Sequence, residues 1–595
     1  MSRKRLVRIA LGRDFADVVV RGGRVVDVYT GEIRRADVAV GDGRIAAVGQ
    51  LPAAAIGPQT KIIEAEGLFV SPGLIDSHLH YHHTYLDPAE AAKLLLLRGV
   101  TGTVDGFYGE AIVGGKEAVR AIKDGIARLP IRLLFLSPTQ AYLQNRMFGL
   151  KPAKAVSPAD LEEMLGWDGC YGLDETPFSS IIDENPDMMA LFEKTLAAGK
   201  VVTGHVSGAS EAEVQAFVAM GGTVDHEAVN VEETIARARS GMKVLMRFGS
   251  GVPDLPNLIG AYTEHGMDPR QLSVCTDVLL PEALAAGALD VAVRRIITAG
   301  VQPVAAIAMG SLNVAETFRA DRDLGSISPG RYADMLLIDD LSKLSVRSVI
   351  FGGDIVVEAG KLLVDPPRPV YPDVMYRTVR TPLKPTVADF KVSTRRVDGE
   401  VKVRCVGVSS TSLVTEERHA TLIARGGAIL PDVNKDVALL AMVDRLDKHS
   451  GMAVAFAHGF GLKSGAMAST HNAVCENLAI VGTNAADMLH AANTLREIGG
   501  GQIIVRNGEI LAVFPMPVLG LFSDRPYPEV LAKREEMQNA ANALGCTLID
   551  PFLKLEFAFA AAEFPHLRMS EEGLIRTKPR ERLSVELEDA EVLEK

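Results

Sequence analysis

Short apolar segments alternate with helical segments from about residue 71 to residue 326. The segments KVVTGHVS, GTVDHEAV and QLSVCTDV are typical of strands, whereas ALFEKTLAAG and ALDVAVRRIITAG are typical of helices. These helical segments end in glycine, the residue most common just beyond a helix C-terminus. Strand–helix alternation over roughly 250 residues predicts a parallel sheet that closes into a (β/α)8 barrel, in the α/β fold class.

Segments of short strands flank this region on both sides. Residues 15–70 alternate apolar and polar positions between glycine turns, and residues 327–380 return to that pattern. Since the ends of a domain often lie close together, we predict that 15–70 and 327–380 form one composite β-sandwich domain beside a barrel of residues 71–326. Residues 386–595 are predicted to form an additional C-terminal α+β domain. Its charge-dense end, RTKPRERLSVELEDAEVLEK, is predicted to be a solvated tail or a surface helix.

Composition excludes several classes of partner and location. The 595-residue chain has a net charge of −12 and a pI near 5.6, which argues against a nucleic-acid or anionic-membrane partner. No uninterrupted apolar run reaches the ~20 residues of a membrane span, and Arg8 and Arg13 break the N-terminal apolar run. The five cysteines are scattered and form no CxxC motif, so we expect a cytoplasmic protein without disulfides.

The segment LFVSPGLIDSHLH ends an apolar strand with two histidines. Strand alternation places His78 and His80 on the same face. Two imidazoles a few ångströms apart suit a divalent transition metal, and a barrel strand would present them at the mouth where barrel active sites lie. The alternative is two polar residues at a strand end without a ligand.

Other predicted strands end in residues of the same kind. His205 ends VVTGHVS, His226 ends GTVDHEA and Asp277 ends SVCTDV. A lone histidine at a strand end is more often structural, but several such residues converging on one barrel mouth favour a metal site. Glu175, in GCYGLDETP, could bridge two metals with its two oxygens. Its neighbour Asp174 is the alternative, because adjacent strand residues point in opposite directions.

The chain order HxH, Glu, His, His, Asp resembles that of the amidohydrolase superfamily, and most closely the bacterial adenine deaminases. The segment ISPGRYADMLLIDDL is similar to the family's return to its small sheet, and GFGLKSGAMAST to its C-terminal domain. The resemblance covers nearly the whole chain. It implies a TIM-like metal-dependent hydrolase barrel and one or two Mn, Fe or Zn ions, held by His78, His80, Glu175, His205, His226 and Asp277.

This resemblance implies a metal-dependent hydrolytic deaminase that acts on adenine or a related aminated heterocycle. Metal ions lower the pKa of a bound water to about 7, and the resulting hydroxide attacks the amidine carbon. Asp277 would take the proton and return it to the departing ammonia, so that Asp277 and Glu175 are the expected catalytic residues. The expected partners are a small heterocyclic substrate and a second copy of the chain, in a homodimer or a higher homo-oligomer.

The chain departs from the family pattern around these ligands. Where the family has Ile-Glu-Ser-Ser after the HxH, this chain has Tyr81–Thr84, and where the family has Asp-Pro-His-Glu it has VDGFYGEA. The family's Ser-His-Asp-Ser-His-Asn aligns with residues 472–477, just after His471, and Val278 replaces a second acid. Because the inferred ligands are intact, these departures predict retained hydrolytic chemistry with altered substrate recognition.

Four residues are predicted to contact substrate: His82, Tyr108, Arg247 and Ser250. Continued alternation would point His82 inward, as a substrate contact, an extra metal ligand or a partner of a ligand, and would point His83 away. The alternatives are a rim histidine for His82, simple packing for Tyr108 and a surface ion pair for Arg247.

Two other functions remain open at this point. The first is an amidohydrolase that opens a cyclic amide or a related heterocycle on the same scaffold. The second belongs to a different class, a non-catalytic descendant that acts as a binding protein. The intact set of candidate ligands argues against the second.

Overall fold

The computed structural model describes residues 3–148, 156–381, 383–446, 451–563 and 566–587. In these residues the chain begins with helix α1 (Lys4–Ala10) and strands β1 (Val18–Asp27), β2 (Glu32–Gly41), β3 (Arg44–Gly49), β4 (Lys61–Glu64) and β5 (Phe69–Pro72). Among the described residues, no helix combines the length and the apolarity needed to cross a membrane. The five cysteines are all free and buried.

Eight parallel strands, all within the described residues, form the central sheet in sequence order. They are β6 (Leu74–Asp76), β7 (Val100–Asp105), β8 (Arg132–Ser137), β9 (Cys170–Pro177), β10 (Val201–His205), β11 (Val224–Asp225), β12 (Lys243–Arg247) and β13 (Leu272–Cys275). A parallel bridge between Leu79 and Asp277 joins the segments beyond the first and last strands. This contact closes the sheet, so the predicted (β/α)8 barrel is confirmed.

Helices connect successive strands and cover the outside of the barrel. They are α2 (Pro88–Leu97), α3 (Tyr108–Ile126), α4 (Thr139–Leu143), α5 (Pro158–Leu165), α6 (Ser179–Ile182), α7 (Pro186–Ala197), α8 (Glu211–Met220), α9 (Val231–Arg239), α10 (Leu255–Leu258), α11 (Gly260–Thr263), α12 (Pro281–Ala286), α13 (Leu289–Thr298), α14 (Pro303–Met309) and α15 (Leu312–Thr317). Helix α8 shows the expected end signals: Ser210 and Glu213 form a capping box, and Gly221 ends the helix at a φ of +116°.

Strands from both sides of the barrel join in one sheet, which has nine strands in the described part of the chain. The later strands are β14 (Met335–Ile338), β15 (Val346–Phe351), β16 (Asp354–Glu358) and β17 (Lys361–Leu362). Strand β14 pairs antiparallel with β5, with Met335 opposite Pro72. Val20, Val38 and Met335 share one apolar core in this sheet. The strands before and after the barrel thus share one sheet and one core. The predicted domain boundaries stay predictions: 15–70 with 327–380, 71–326 and 386–595.

The C-terminal part is built on a ten-stranded sheet within the described residues. Its elements are β18 (Val392–Ser393), β19 (Gly399–Gly407), β20 (Glu416–Arg425), β21 (Ala428–Ile429), β22 (Val437–Val443), β23 (Met452–His458), β24 (Ala466–Ser469), β25 (Leu478–Gly482), α16 (Ala485–Ile498), β26 (Gly501–Arg506) and β27 (Glu509–Pro515). Helices α17 (Tyr527–Ala543) and α18 (Pro551–Phe557) follow, and then a small sheet of β28 (Leu567–Ser570), β29 (Gly573–Thr577) and β30 (Arg580–Leu583).

The expectation of a solvated tail or surface helix at the C-terminus is wrong for residues 576–587. Strands β29 and β30 form a hairpin there, and Arg576 pairs with Glu417 while Arg580 pairs with Asp183 of the barrel. Arg576 and Arg580, two of the charged residues that suggested a solvated segment, therefore form ion pairs with the rest of the protein. Residues 588–595 lie outside the described residues.

Candidate metal centre and active site

The six predicted metal ligands meet at the carboxyl-terminal mouth of the barrel. Each lies at or just beyond the end of a strand, and all the parallel strands end at this mouth. All six side chains are buried. His78 and His80 follow β6, Glu175 is near the end of β9, His205 ends β10, His226 follows β11 and Asp277 follows β13.

Glu175 lies at the centre of this group. Its Oε1 is 3.2 Å from His80 Nε2. Its Oε2 is 3.5 Å from His205 Nδ1, 3.6 Å from His226 Nε2 and 3.9 Å from His78 Nε2. Because both oxygens face imidazole nitrogens, the carboxylate is placed to bridge two ions.

Asp277 completes the group from the last strand. Its Oδ1 is 3.6 Å from His78 Nε2 and 3.5 Å from His80 Nε2. The backbone holds this arrangement, because Asp277 N donates to His78 O at 2.8 Å and His80 N donates to Asp277 O at 3.2 Å. The hydrogen bonds that close the barrel therefore also fix the first-strand histidines beside the last-strand aspartate.

The donor set fits one or two divalent ions. Three overlapping groups have ligand atoms within 4.8 Å of one another: His78, His80 and Glu175; His78, His226 and Asp277; Glu175, His205 and His226. His78 Nε2 and Glu175 Oε1 are buried and have no aligned hydrogen bond. Buried polar atoms without a partner are costly, and imidazole with carboxylate is a donor set that suits divalent transition metals.

The pKa values of two adjacent carboxyl groups on β9 are shifted in opposite directions. Burial opposes ionisation of Glu175, but the facing histidines, His80 first, outweigh it and hold the pKa of Glu175 well below its usual range. Burial, reinforced by the charge of Glu175, raises the pKa of Asp174 well above its usual value. The surroundings thus favour the ionised form of Glu175 among the histidines and the protonated form of its neighbour Asp174.

Asp105, at the end of β7, supports His80 from the other side of the ring. Its Oδ1 is 3.5 Å from His80 Nδ1. The Asp105 carboxylate is itself fixed, since it accepts hydrogen bonds at 2.9 Å from the backbone N–H groups of Tyr81 and Phe107. A carboxylate on the far nitrogen of a ligand histidine fixes its orientation.

Arg247 lies inside the site rather than on the surface. Its side chain is buried and pairs with Glu227, whose Oε1 is 3.2 Å from His226 Nε2. The guanidinium also contacts Asp277 Oδ2 at 3.4 Å and Asp254 Oδ2 at 2.9 Å. The surface ion pair considered from the sequence is therefore replaced by a buried charge network that reaches both a candidate ligand and the candidate proton carrier.

A cavity of about 380 Å³ opens above these residues. His80, Glu175, His205, His226 and Asp277 line its floor. The C-terminal domain supplies part of the wall, with Leu413, Ala473, Val474, Phe557 and Ala562. Sequence patterns could not identify this wall, because these five residues are apolar and come from segments far apart in the chain.

Only some of the residues predicted to contact substrate line the cavity. Tyr108 and Arg247 line the cavity. Ser250 does not line it in the described part of the chain, and its hydroxyl accepts a hydrogen bond from Leu280 N at 3.0 Å. Gln140, which no sequence signal identified, lines the cavity with a carboxamide that is buried and has no hydrogen-bond partner among the described residues.

The predicted orientations of His82 and His83 are reversed in the structure. His83 lines the cavity, and its Nε2 is 3.0 Å from the Tyr108 hydroxyl. His82 does not line the cavity in the described structure and instead faces Glu110, with 3.2 Å between Nδ1 and Oε2. The reason is local: residues 81–84 form a 3-10 turn, so strand alternation stops at His80.

Comparisons with known proteins agree with this architecture. Residues 69–356 match the model of the amidohydrolase family, and residues 412–581 match that of the adenine deaminase C-terminal domain. The chain is 35% identical over 578 residues to an adenine deaminase of Moorella thermoacetica, and 37% identical over 580 residues to one of Paracoccus denitrificans. Both alignments cover 96% of each chain.

A solved structure gives a weaker match over part of the chain. It is an adenosine deaminase from Xanthomonas campestris with bound Zn, 15% identical, with a TM-score of 0.45 over 59% of this chain and 95% of that one. At that score the likeness adds nothing to the fold already described. On the two family models and the full-length relatives, the chain belongs to the adenine deaminase family of amidohydrolases.

Proposed function

We propose that this protein is a metal-dependent hydrolase that releases ammonia from adenine or a closely related aminated heterocycle. The observation that carries the proposal is the cluster of buried imidazoles around Glu175 and Asp277 at the floor of a 380 Å³ cavity. Full-length relatives named adenine deaminase support the choice of substrate.

Glu175 would contribute its carboxylate to both ions if two are bound. His78, His80 and Asp277 would hold one ion, and His205 and His226 the other. Mn, Fe and Zn all suit this mixture of nitrogen and oxygen donors. When bound, such ions lower the pKa of a coordinated water to about 7 and so supply a nucleophile at neutral pH.

Asp277 would carry the proton. Its carboxylate faces the ligand histidines on one side and Arg247 on the other, so it is fixed at the cavity floor. It would accept the proton of the attacking water and return it to the amino nitrogen as the C–N bond breaks. The other proton of the water would end on the ring nitrogen of the former C=N bond, so that a C=O bond forms in the product as ammonia leaves.

Three neighbouring residues would hold the heterocycle in place. The Gln140 carboxamide has a donor and an acceptor available, and ring nitrogens of a purine need both. Tyr108, held by His83, would form one wall. Phe557 and the other apolar residues of the C-terminal domain would exclude water from the opposite side.

The proposal includes a cytoplasmic location and a homo-oligomeric assembly. Free, buried cysteines fit a cytoplasmic enzyme, and the negative net charge fits a protein that binds neither nucleic acid nor an anionic membrane. A homodimer or higher homo-oligomer is the proposed assembly, which sedimentation velocity would test.

The test is a substrate panel on apoenzyme reconstituted separately with Mn, Fe and Zn. Adenine, other aminopurines, aminopyrimidines and cyclic amides are assayed for ammonia and for ring absorbance together. The expected result is metal-dependent ammonia release from adenine or a near relative. Ring opening without ammonia would favour the cyclic-amide hydrolase, and no turnover with any metal would favour a binding protein.

A further inference from the structure

A second histidine cluster lies beside the catalytic group and shares none of its proposed ligands. His82, His83 and His471 have ring nitrogens within 4.8 Å of one another, and all three are fully or almost fully buried. Their ring centroids are 4.5 to 5.4 Å apart. Three of the thirteen histidines of the chain therefore meet at one point, and of these the proposed deamination uses only His83, through the contact of its Nε2 with Tyr108.

Glu556 adds a carboxylate to this cluster. Its Oε1 is 3.0 Å from His83 Nδ1, and its Oε2 is 3.1 Å from His471 Nδ1. Neither contact has the alignment of a hydrogen bond, and Glu556 is itself buried. In a tetrahedral zinc site with ligand distances of ~2.0–2.1 Å, neighbouring donors lie about 3.3 Å apart, close to these separations.

A cluster held by hydrogen bonds alone would leave several buried atoms unsatisfied. Both ring nitrogens of His82 and both of His471 lack a hydrogen-bond partner among the described residues. Burial of polar atoms without partners is rare, because each costs free energy that water would otherwise have supplied. One cation between the rings would satisfy them together.

We propose that His82, His83, His471 and Glu556 bind a further divalent metal ion of the zinc type. Three neutral imidazoles and one carboxylate offer four donors, the number that a closed structural zinc site requires. Glu110, 3.2 Å from the Nδ1 of His82, would orient that ring from outside the site. The inference does not depend on the nature of the reaction in the neighbouring cavity.

This ion would fix the C-terminal domain to the barrel. His82 and His83 follow β6 of the barrel, whereas His471 follows β24 and Glu556 lies on α18. Ala473 and Phe557, close in sequence to the last two ligands, are part of the cavity wall. A metal bound here would therefore position the wall that closes the substrate cavity.

The test is metal analysis of the full-length protein after saturation with Zn and removal of excess ion. His471→Ala and Glu556→Gln are compared with the wild type and with His490→Ala, a control on helix α16 that belongs to neither cluster. The expected result is about one equivalent of zinc fewer per chain in the His471 variant. The Glu556 variant keeps the shape of the side chain and is expected to bind the last equivalent at least about tenfold more weakly.

The difference in zinc content between the variants and the wild type tests the proposal whether the catalytic group holds one ion or two. A second readout is X-ray absorption at the zinc edge, which should lose imidazole scattering in His471→Ala relative to the control. Equal zinc content in the wild type and in both variants would overturn the proposal. If His471→Ala does not fold, the isosteric Glu556→Gln variant decides the question by its zinc affinity.

Discussion

Glu175 and Asp277 have different proposed tasks within one cluster of histidines. Glu175 is surrounded by imidazole nitrogens at 3.2 to 3.9 Å, which suits a bridging ligand. Asp277 contacts both the histidines and Arg247 at the cavity floor, which suits a proton carrier. Both residues, and the four histidines with them, could be found from the sequence, because each ends a short apolar run and parallel strands end together.

Asp277→Asn tests the proton carrier. The amide keeps an oxygen donor for the metal but cannot accept the proton, so kcat should fall by about 100-fold or more with metal content largely retained. Steady-state kinetics and metal analysis are run beside Asp268→Asn, an exposed aspartate outside the site. A near-normal rate in the Asp277 variant would refute the assignment.

Gln140→Leu tests recognition of the heterocycle. Loss of one or two hydrogen bonds to the ring should lower kcat/KM by roughly 5- to 30-fold, mainly through KM, since Gln140 contacts no reacting atom. The matched control is Gln215→Leu on the exposed side of α8. An unchanged KM for every substrate would show that Gln140 does not contact the bound substrate.

At the scale of elements, the regular segments were predictable and the irregular ones were not. The alternation of strands and helices predicted the barrel. The alternation of side chains along a strand gave the wrong orientations for His82 and His83, because nothing in the sequence marks the 3-10 turn at 81–84. The wall residues Leu413 and Phe557 carry no signal either. Their role depends on how the C-terminal domain packs on the barrel, which is a long-range property that local patterns do not encode.

Helix α2 makes a further contact between the barrel and the C-terminal part. Glu90 is buried and accepts hydrogen bonds from Lys93 at 2.9 Å, from Arg368 at 3.1 Å and from the backbone N–H of Tyr527 at 3.0 Å. These contacts join α2 to the segment after β17 and to the start of α17.

Glu90→Gln should therefore loosen this junction. The neutral amide removes the counter-charge of Arg368 and one of the two carboxylates that Lys93 pairs with, so the midpoint of thermal unfolding should fall by about 2–6 °C. Differential scanning calorimetry is compared with Glu193→Gln, an exposed residue of α7 that should leave the midpoint within error. Equal midpoints for the two variants would show that the junction contributes little to stability.

At the scale of the whole molecule, buried ligands couple metal binding to folding. Imidazoles and carboxylates packed together without an ion are costly, and a ligand that binds only the native state stabilises it by about 2.7 kcal/mol at 100 times its Kd. Chelation should thus lower the unfolding midpoint, and added Mn or Zn should restore it. An unfolding midpoint indifferent to chelator and metal would argue that the clusters hold no ion.

The central claim, hydrolytic release of ammonia at this site, is tested most directly with isotopically labelled water. Metal-reconstituted enzyme is incubated with adenine in H₂¹⁸O, and the product mass and the ammonia are measured together. The predicted result is one ammonia per product molecule, with a single ¹⁸O atom in the product in place of the amino group. A product without the label, or a ring-opened product without ammonia, would contradict it.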